Sequence, residues 1–164
     1  MNLEMVRRWN HVVDIDDWVY YLGDFSLSEQ AVIEYSHQLN GKKILIPGNH
    51  DQCFPDHMSH EKHCKKMAFY QINGWTVWPL DNYIVLQEQR LRLNHFPYVS
   101  KETFETYEVK YKKYRPVQQP GELLLHGHIH GHYQSKPGIV NVGVDVWDFY
   151  PVTLEQILAT QKET

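Results

Sequence analysis

Apolar positions along the chain fall into two rhythms. Leu3, Val6, Trp9 and Val13 lie three or four apart, which predicts an amphipathic helix over the first thirteen residues, with no capping residue before it. Trp18-Val-Tyr-Tyr-Leu22 is a short β-branched and aromatic run, so it predicts a buried strand that hands over to Gly23-Asp24. Ser26 to Glu29 has the S-x-x-E form of a helix-capping box, and Ala31, Val32, Tyr35 and Leu39 carry a helical stripe up to Asn40-Gly41. Lys43-Ile-Leu-Ile-Pro47 predicts a second strand that runs straight into Gly48-Asn49-His50-Asp51. Helix, strand, helix, strand is the alternation of parallel strands joined by crossover helices. That arrangement gathers loops at the carboxyl ends of the strands, where α/β proteins usually bind ligands.

The second half reads as β-rich. Short apolar runs at 76–78, 83–86, 91–93, 123–125 and 139–142 are separated by Gly, Pro or Asn. A helix is expected somewhere in 101–115, and Thr153 to Gln156 caps a last helix reaching about residue 161. No repeat, low-complexity tract or linker interrupts this, so residues 1–164 are expected to form one α/β domain.

Composition narrows the function classes. At 164 residues, 42% apolar and 22% charged, the chain can build a core without disulfides. Cys53 and Cys64 form neither a disulfide framework nor a CxxC motif, which fits a reducing, cytoplasmic setting. Sixteen Lys and Arg against twenty Asp and Glu leave a net charge of −4, which argues against a dedicated nucleic-acid binder. No apolar run approaches the ~20 residues that span a bilayer.

Eleven histidines stand out instead. Four polar clusters each follow a strand candidate: Gly23-Asp24, Gly48-Asn49-His50-Asp51, Asn94-His95 and His126-Gly127-His128-Ile129-His130. Carboxylate, amide oxygen and neutral imidazole make a mixed O/N donor set that suits Mn²⁺, Fe, Ni²⁺ or Zn²⁺ better than Ca²⁺ or copper. On an extended strand end, His126, His128 and His130 would share one face and could address neighbouring ions. A bridging carboxylate such as Asp24 could hold two ions ~3.5–4 Å apart, the spacing used for in-line displacement at phosphorus.

The series GD, GNHD, NH and HGHIH resembles the calcineurin-like metallophosphoesterase superfamily, and Asn141-Val-Gly-Val-Asp145 resembles its small phage and bacterial members. The resemblance implies a central β-sandwich flanked by helices, with a two-metal site at one edge. It also implies a metal-dependent hydrolase that cleaves a phosphodiester or phosphomonoester through a metal-activated hydroxide. Residue by residue, it makes Asp24 the bridging carboxylate, with Asn49, His95 and His128 completing one metal site and His130 serving the other. His50 matches the histidine beside the scissile phosphate, and Asp51 would orient and charge its ring. Manganese is the expected metal, with zinc, iron or nickel as substitutes.

One motif of the superfamily is missing. Its first strand ends in D-x-H, and no D-x-H occurs among these residues. The expectation is therefore a domain truncated at its N-terminus relative to the family, by truncation or by a start assigned too late, lacking the first strand and holding two ions or one. The alternative is a catalytically impaired metal-binding remnant or interaction domain. Loss of a core strand would open a gap or a sheet edge.

Other features have plainer readings. His57, His60 and His63 beside Cys64 sit among Lys62, Lys65 and Lys66, and are expected to be a solvated insertion. Cys53 reads as a small buried hydrophobe. Residues 107–115 interleave four cations with three tyrosines; such a segment could contact the non-reacting part of a nucleotide or nucleic-acid substrate, but a solvated helix face is favoured. Trp75, Trp78, Trp147 and Phe149 are expected in the core and at its rim.

Overall fold

The computed structural model describes residues 2–56, 58–99 and 111–162. In chain order its elements are α1 (Asn2–Val12), β1 (Trp18–Tyr21), α2 (Glu29–Ser36), β2 (Lys42–Leu45), α3 (His60–Ile72), β3 (Trp75–Val77), β4 (Asp81–Leu86), β5 (Gln89–Asn94), β6 (Leu123–His126), β7 (Ser135–Lys136), β8 (Ile139–Asn141) and α4 (Leu154–Lys162). The strands β1, β2 and β3 form a parallel sheet in that order, and a second, mixed sheet runs β4-β5-β6-β8-β7. This is the expected α/β architecture of two sheets flanked by helices.

β2 shows how the layers are built. Leu45 packs with Trp9, Val13, Val32, Tyr70, Trp75 and Val77, the cluster formed with α1, α2 and α3. Ile44 and Ile46 join Leu22, Leu91, Leu93, Leu125, Val140 and Ile157, the cluster shared with the second sheet and α4. Period-two alternation sends neighbours to opposite faces, and both faces are buried. The strand therefore reads as an unbroken apolar run.

Several elements depart from the sequence expectation. The buried stripe of α1 begins at Val6, because Leu3 is 70% exposed. The N-cap of α2 is Ser28, whose hydroxyl accepts from the Ala31 N–H at 3.2 Å, so the helix starts two residues later than the S-x-x-E pattern suggests. The cause lies upstream, where the Asp51 carboxylate takes the N–H groups of Phe25 and Ser26 and fixes them in a loop. α3 has no counterpart in the sequence reading, which expected a solvated insertion there. Its outer face is filled by His and Lys, and only Tyr70 is fully buried, with Met67 and Phe69 partly so; that stripe is too sparse to announce a helix. The cap of α4 holds as a reciprocal box: Thr153 Oγ1 accepts from the Gln156 N–H, and Gln156 Oε1 accepts from the Thr153 N–H. Of the helix expected in 101–115, residues 101–110 lie outside the described residues, and Lys112–Tyr114 form a 3-10 turn.

Among the described residues, β1 pairs only with β2, which leaves its other edge open. Along that edge runs a cavity of about 870 Å³. Its lining includes Tyr20, Leu22, Leu91, Leu93, Leu125 and Ile157, together with Asp24 and His128. No helix among the described residues is long and apolar enough to cross a membrane.

Candidate metal centre

Four loops meet where the two sheets face each other, and each leaves the carboxyl end of a strand: Gly23-Asp24 after β1, Gly48 to Asp51 after β2, His95 after β5, and Gly127-His128 after β6. Two glycines let the first two loops touch. Gly23 has φ +91°, and a Cβ on it would collide with the backbone of Gly48, while a Cβ on Gly48 would strike Asp24.

His95 is almost completely buried, and its Nδ1–H donates to the Leu22 carbonyl at 2.7 Å. That bond engages Nδ1, so in the neutral ring Nε2 keeps its lone pair, whereas a ring carrying a second proton can donate from Nε2. Nε2 in turn faces Asn49 Oδ1 at 3.1 Å, His128 Nδ1 at 3.2 Å and Asp24 Oδ2 at 3.3 Å. The donor atoms of Asp24, His95 and His128 all lie within 4.8 Å of one another. A carboxylate, a side-chain carbonyl oxygen and imidazole nitrogens thus point their lone pairs at one spot. A proton on Nε2 could satisfy one of these neighbours at a time, whereas a divalent cation satisfies all of them. The residues fit a metal ion.

Asp24 is held in register for this role. Its φ is +59°, in the left-handed region, and its Oδ1 accepts from the His50 N–H at 2.8 Å. Burial disfavours its charged form, but the hydrogen bond and charge of His95, with the His50 N–H, outweigh burial and hold the carboxyl below its ordinary value. Burial is the main reason that His128 is pushed down to about 3, helped by the charges of His95 and Arg115. Its ring is therefore neutral and its lone pair free to coordinate.

The other expected site residues sit around this group. His50 is exposed at the rim, with its backbone on Asp24. The Asp51 carboxylate, expected to orient the His50 ring, is used elsewhere. Among the described residues it accepts from the N–H groups of Asp24 (2.7 Å), Phe25 (2.9 Å), Gly48 (2.9 Å) and Ser26 (3.4 Å), and from the Tyr70 hydroxyl (3.4 Å). Asp51 thus ties the first two loops together from beneath. Burial and the charge of Asp24 raise its carboxyl above the ordinary value, although the Gly48 and Asp24 N–H groups pull the other way.

His126, His128 and His130 do not share a face. β6 ends at His126, and His128 and His130 then adopt φ of +70° and +48°, which breaks the alternation an extended strand would impose. His128 turns to Asp24 and His95, whereas His130 is 80% exposed and lies 3.4 Å from Asp145. His126 is fully buried, its Nδ1–H donating to the Gly127 carbonyl and its Nε2 accepting from the Tyr133 hydroxyl.

Burial drives His126 down to about 3, the Gly127 carbonyl only partly opposing it. Because the folded value lies below the unfolded one of ~6.5, the unfolded chain binds more protons between these values, and stability falls as pH drops below ~6.5. Between pH 7.5 and 5 the metal-free protein should lose about 2 kcal/mol through this residue. Urea unfolding in EDTA checks it: His126→Gln should show a pH slope shallower by about that amount, and an unchanged slope would refute the assignment.

Phe96, which the sequence does not single out, and Tyr111, which it sets in the basic segment 107–115, stand beside the site. Phe96 packs edge-on against His95 and His128 and stacks on Tyr111, whose ring lies 6.2 Å from that of His128. Lys113 and the Tyr114 hydroxyl both bond Asp56 at 3.0 Å, so this part of the basic segment is tied into the fold. Cys53 is buried in the first core cluster, as expected.

No protein-family profile matches the chain. It is 27% identical over 158 residues to the Gene 66 protein of Mycobacterium phage L5, covering 87% of this chain and 72% of that one. It is 28% identical over 168 residues to an uncharacterized protein of Methanocaldococcus jannaschii, covering 96% and 73%. Among solved structures, a protein of unknown function from Aquifex aeolicus, AQ665, superposes with a TM-score of 0.62 at 22% identity, covering 97% of this chain and 84% of that one. A structure described as a novel archaeal phosphodiesterase gives a TM-score of 0.49 at 17% identity, covering 86% and 76%. The likeness to the Aquifex protein is one of fold, and the chain carries that fold along nearly its whole length.

Proposed function

We propose that the chain is a metal-dependent phosphoesterase that hydrolyses a phosphodiester or phosphomonoester. The observation that carries this reading is the convergence of the lone pairs of Asp24, Asn49, His95 and His128 on one point, with His50 at the open rim. The reaction class comes from the GD, GNHD, NH and HGHIH series. A divalent ion, manganese first, supplies Lewis acidity there and lowers the pKa of water towards ~7.

The chain's own residues supply the rest. Asp24 contributes the negative charge, and its fixed Oδ1 bond keeps it aimed. Asn49 and the two imidazoles add neutral donors, so the group retains net positive charge to attract a phosphate once a cation is held. His50, exposed beside Asp24, would donate a proton or a hydrogen bond to the departing oxygen. Phe96 and Tyr111 exclude water from one side.

The test is Mn²⁺-dependent hydrolysis of bis(p-nitrophenyl) phosphate. Wild-type turnover should vanish in His128→Ala, and His50→Ala should lower kcat by about 10²–10⁴-fold with Mn²⁺ affinity unchanged. A wild-type chain that binds Mn²⁺ but shows no turnover would sink the hydrolase reading. That outcome would favour the second reading, a metal-binding domain without catalysis. One observation supports it: among the described residues a single candidate ligand group is found, and His130 lies outside it.

A further inference from the structure

Asn141 ends β8 inside an apolar stretch, Ile139-Val-Asn-Val142, yet it is completely buried. Its side chain is fully used. Nδ2 donates to the carbonyls of His130 at 2.7 Å and Tyr133 at 2.9 Å, and Oδ1 accepts from the Gly143 N–H at 2.9 Å. Gly143 approaches so closely that a Cβ there would lie 2.9 Å from Oδ1. The backbone of Asn141 is engaged as well, its N–H on the Gln134 carbonyl and its carbonyl accepting from the Trp147 indole.

These contacts bracket the loop that carries His128. The loop enters pinned by the Gly127 N–H on the His95 carbonyl, and it leaves pinned by the two bonds from Asn141. Between the pins stand two non-glycine residues at positive φ, His128 and His130. Such conformations persist only where the surroundings over-determine them. We infer that Asn141 is a positioning residue for the metal centre: its amide holds the 127–133 loop in the left-handed geometry that aims His128 at Asp24 and His95. The inference rests on the metal-binding part of the reading above, and it goes beyond that reading by giving the centre a support outside its own ligands.

Asn141→Asp is the discriminating change. It has nearly the same shape and can still accept from Gly143, but as a carboxylate it has no donor for either carbonyl, and as a carboxylic acid it could serve only one of the two. Asn141→Ser is a milder second variant should the aspartate fail to fold. Val140→Ala, in the same strand, serves as the control for general loss of stability, since Val140 is buried and lies outside the loop's hydrogen bonds. Mn²⁺ affinity is read by titration of the free-ion EPR signal, and loop order by amide exchange, both without turnover. Asn141→Asp should raise the Kd for Mn²⁺ about 10–100-fold, the usual effect of losing a group that orients a ligand. Amides of 127–133 should exchange faster while those of β2 stay protected, and Val140→Ala should keep its Kd within about twofold. Equal Mn²⁺ affinity in wild type and Asn141→Asp overturns the inference alone. A wild-type chain that takes up no Mn²⁺ overturns both the inference and the reading beneath it.

Discussion

Replacing Asp51 by Ala should cost about 3–5 kcal/mol of folding stability, the range reached when several buried donors lose their acceptor at once. Three of its hydrogen bonds are short, from the N–H groups of Asp24, Phe25 and Gly48, and two more come from Ser26 and Tyr70. Alanine leaves the buried Gly48 N–H and Tyr70 hydroxyl and the partly buried N–H groups of Asp24, Phe25 and Ser26 without this acceptor. The carboxylate also joins the Asp24 and Gly48 loops, so the loss spreads into the donor group above it. Denaturant titration should show a lower urea midpoint with an unchanged m-value. A loss below about 1 kcal/mol would mean that the loops find other partners and that Asp51 does not hold them. Asn at this position keeps one acceptor oxygen and should fall between alanine and wild type.

Asp24→Asn should have the opposite profile, leaving the metal-free fold intact while removing metal uptake. The amide has the same shape, and its oxygen can still accept from the His50 N–H. Its NH₂ can then donate to the Nε2 lone pair of His95, which the carboxylate faces at 3.3 Å. A donor placed among converging lone pairs satisfies them without a cation, and the one negative charge of the group is gone. Mn²⁺ affinity should fall about 10²–10³-fold, equivalent to about 3–4 kcal/mol, with turnover falling at least as far. Calorimetry on the metal-free variant should give a Tm equal to or above that of wild type. Undiminished Mn²⁺ binding would place the ion elsewhere and refute the proposed centre.

Much of this site was legible in the residues because its parts are local. Gly-Asp and Gly-Asn-His-Asp directly follow strands that are apolar on both faces, and a polar residue at the end of such a run has few structural reasons to be there. What escaped was set by backbone conformation and by distant partners. Period-two reasoning put His126, His128 and His130 on one face, and left-handed φ at His128 and His130 undid it. Asp51 was matched to its sequence neighbour His50, whereas its partners include residues 25 to 27 positions upstream, which no local pattern encodes. α3 carries little signal because only Tyr70 of its thirteen residues is fully buried, fewer than the three or four per two turns that mark a core-facing helix. Asn141 did carry a signal, a lone amide in an apolar strand, and it resembled part of a motif before its hydrogen bonds gave it a separate purpose.

The donor atoms do not belong to one sheet. Asp24 and Asn49 follow strands of the parallel sheet, while His95 and His128 follow strands of the mixed one. A cation held among them would therefore be a rivet between two layers that otherwise meet through side-chain packing and the His95–Leu22 hydrogen bond, and that share the open cavity beside β1. Binding at such a seam stabilises the docked arrangement by RT ln(1 + [M]/Kd), and any loosening of the layers weakens the binding by the same amount. The proposed ligand group would thus be a gauge of how tightly the two halves of the fold are closed.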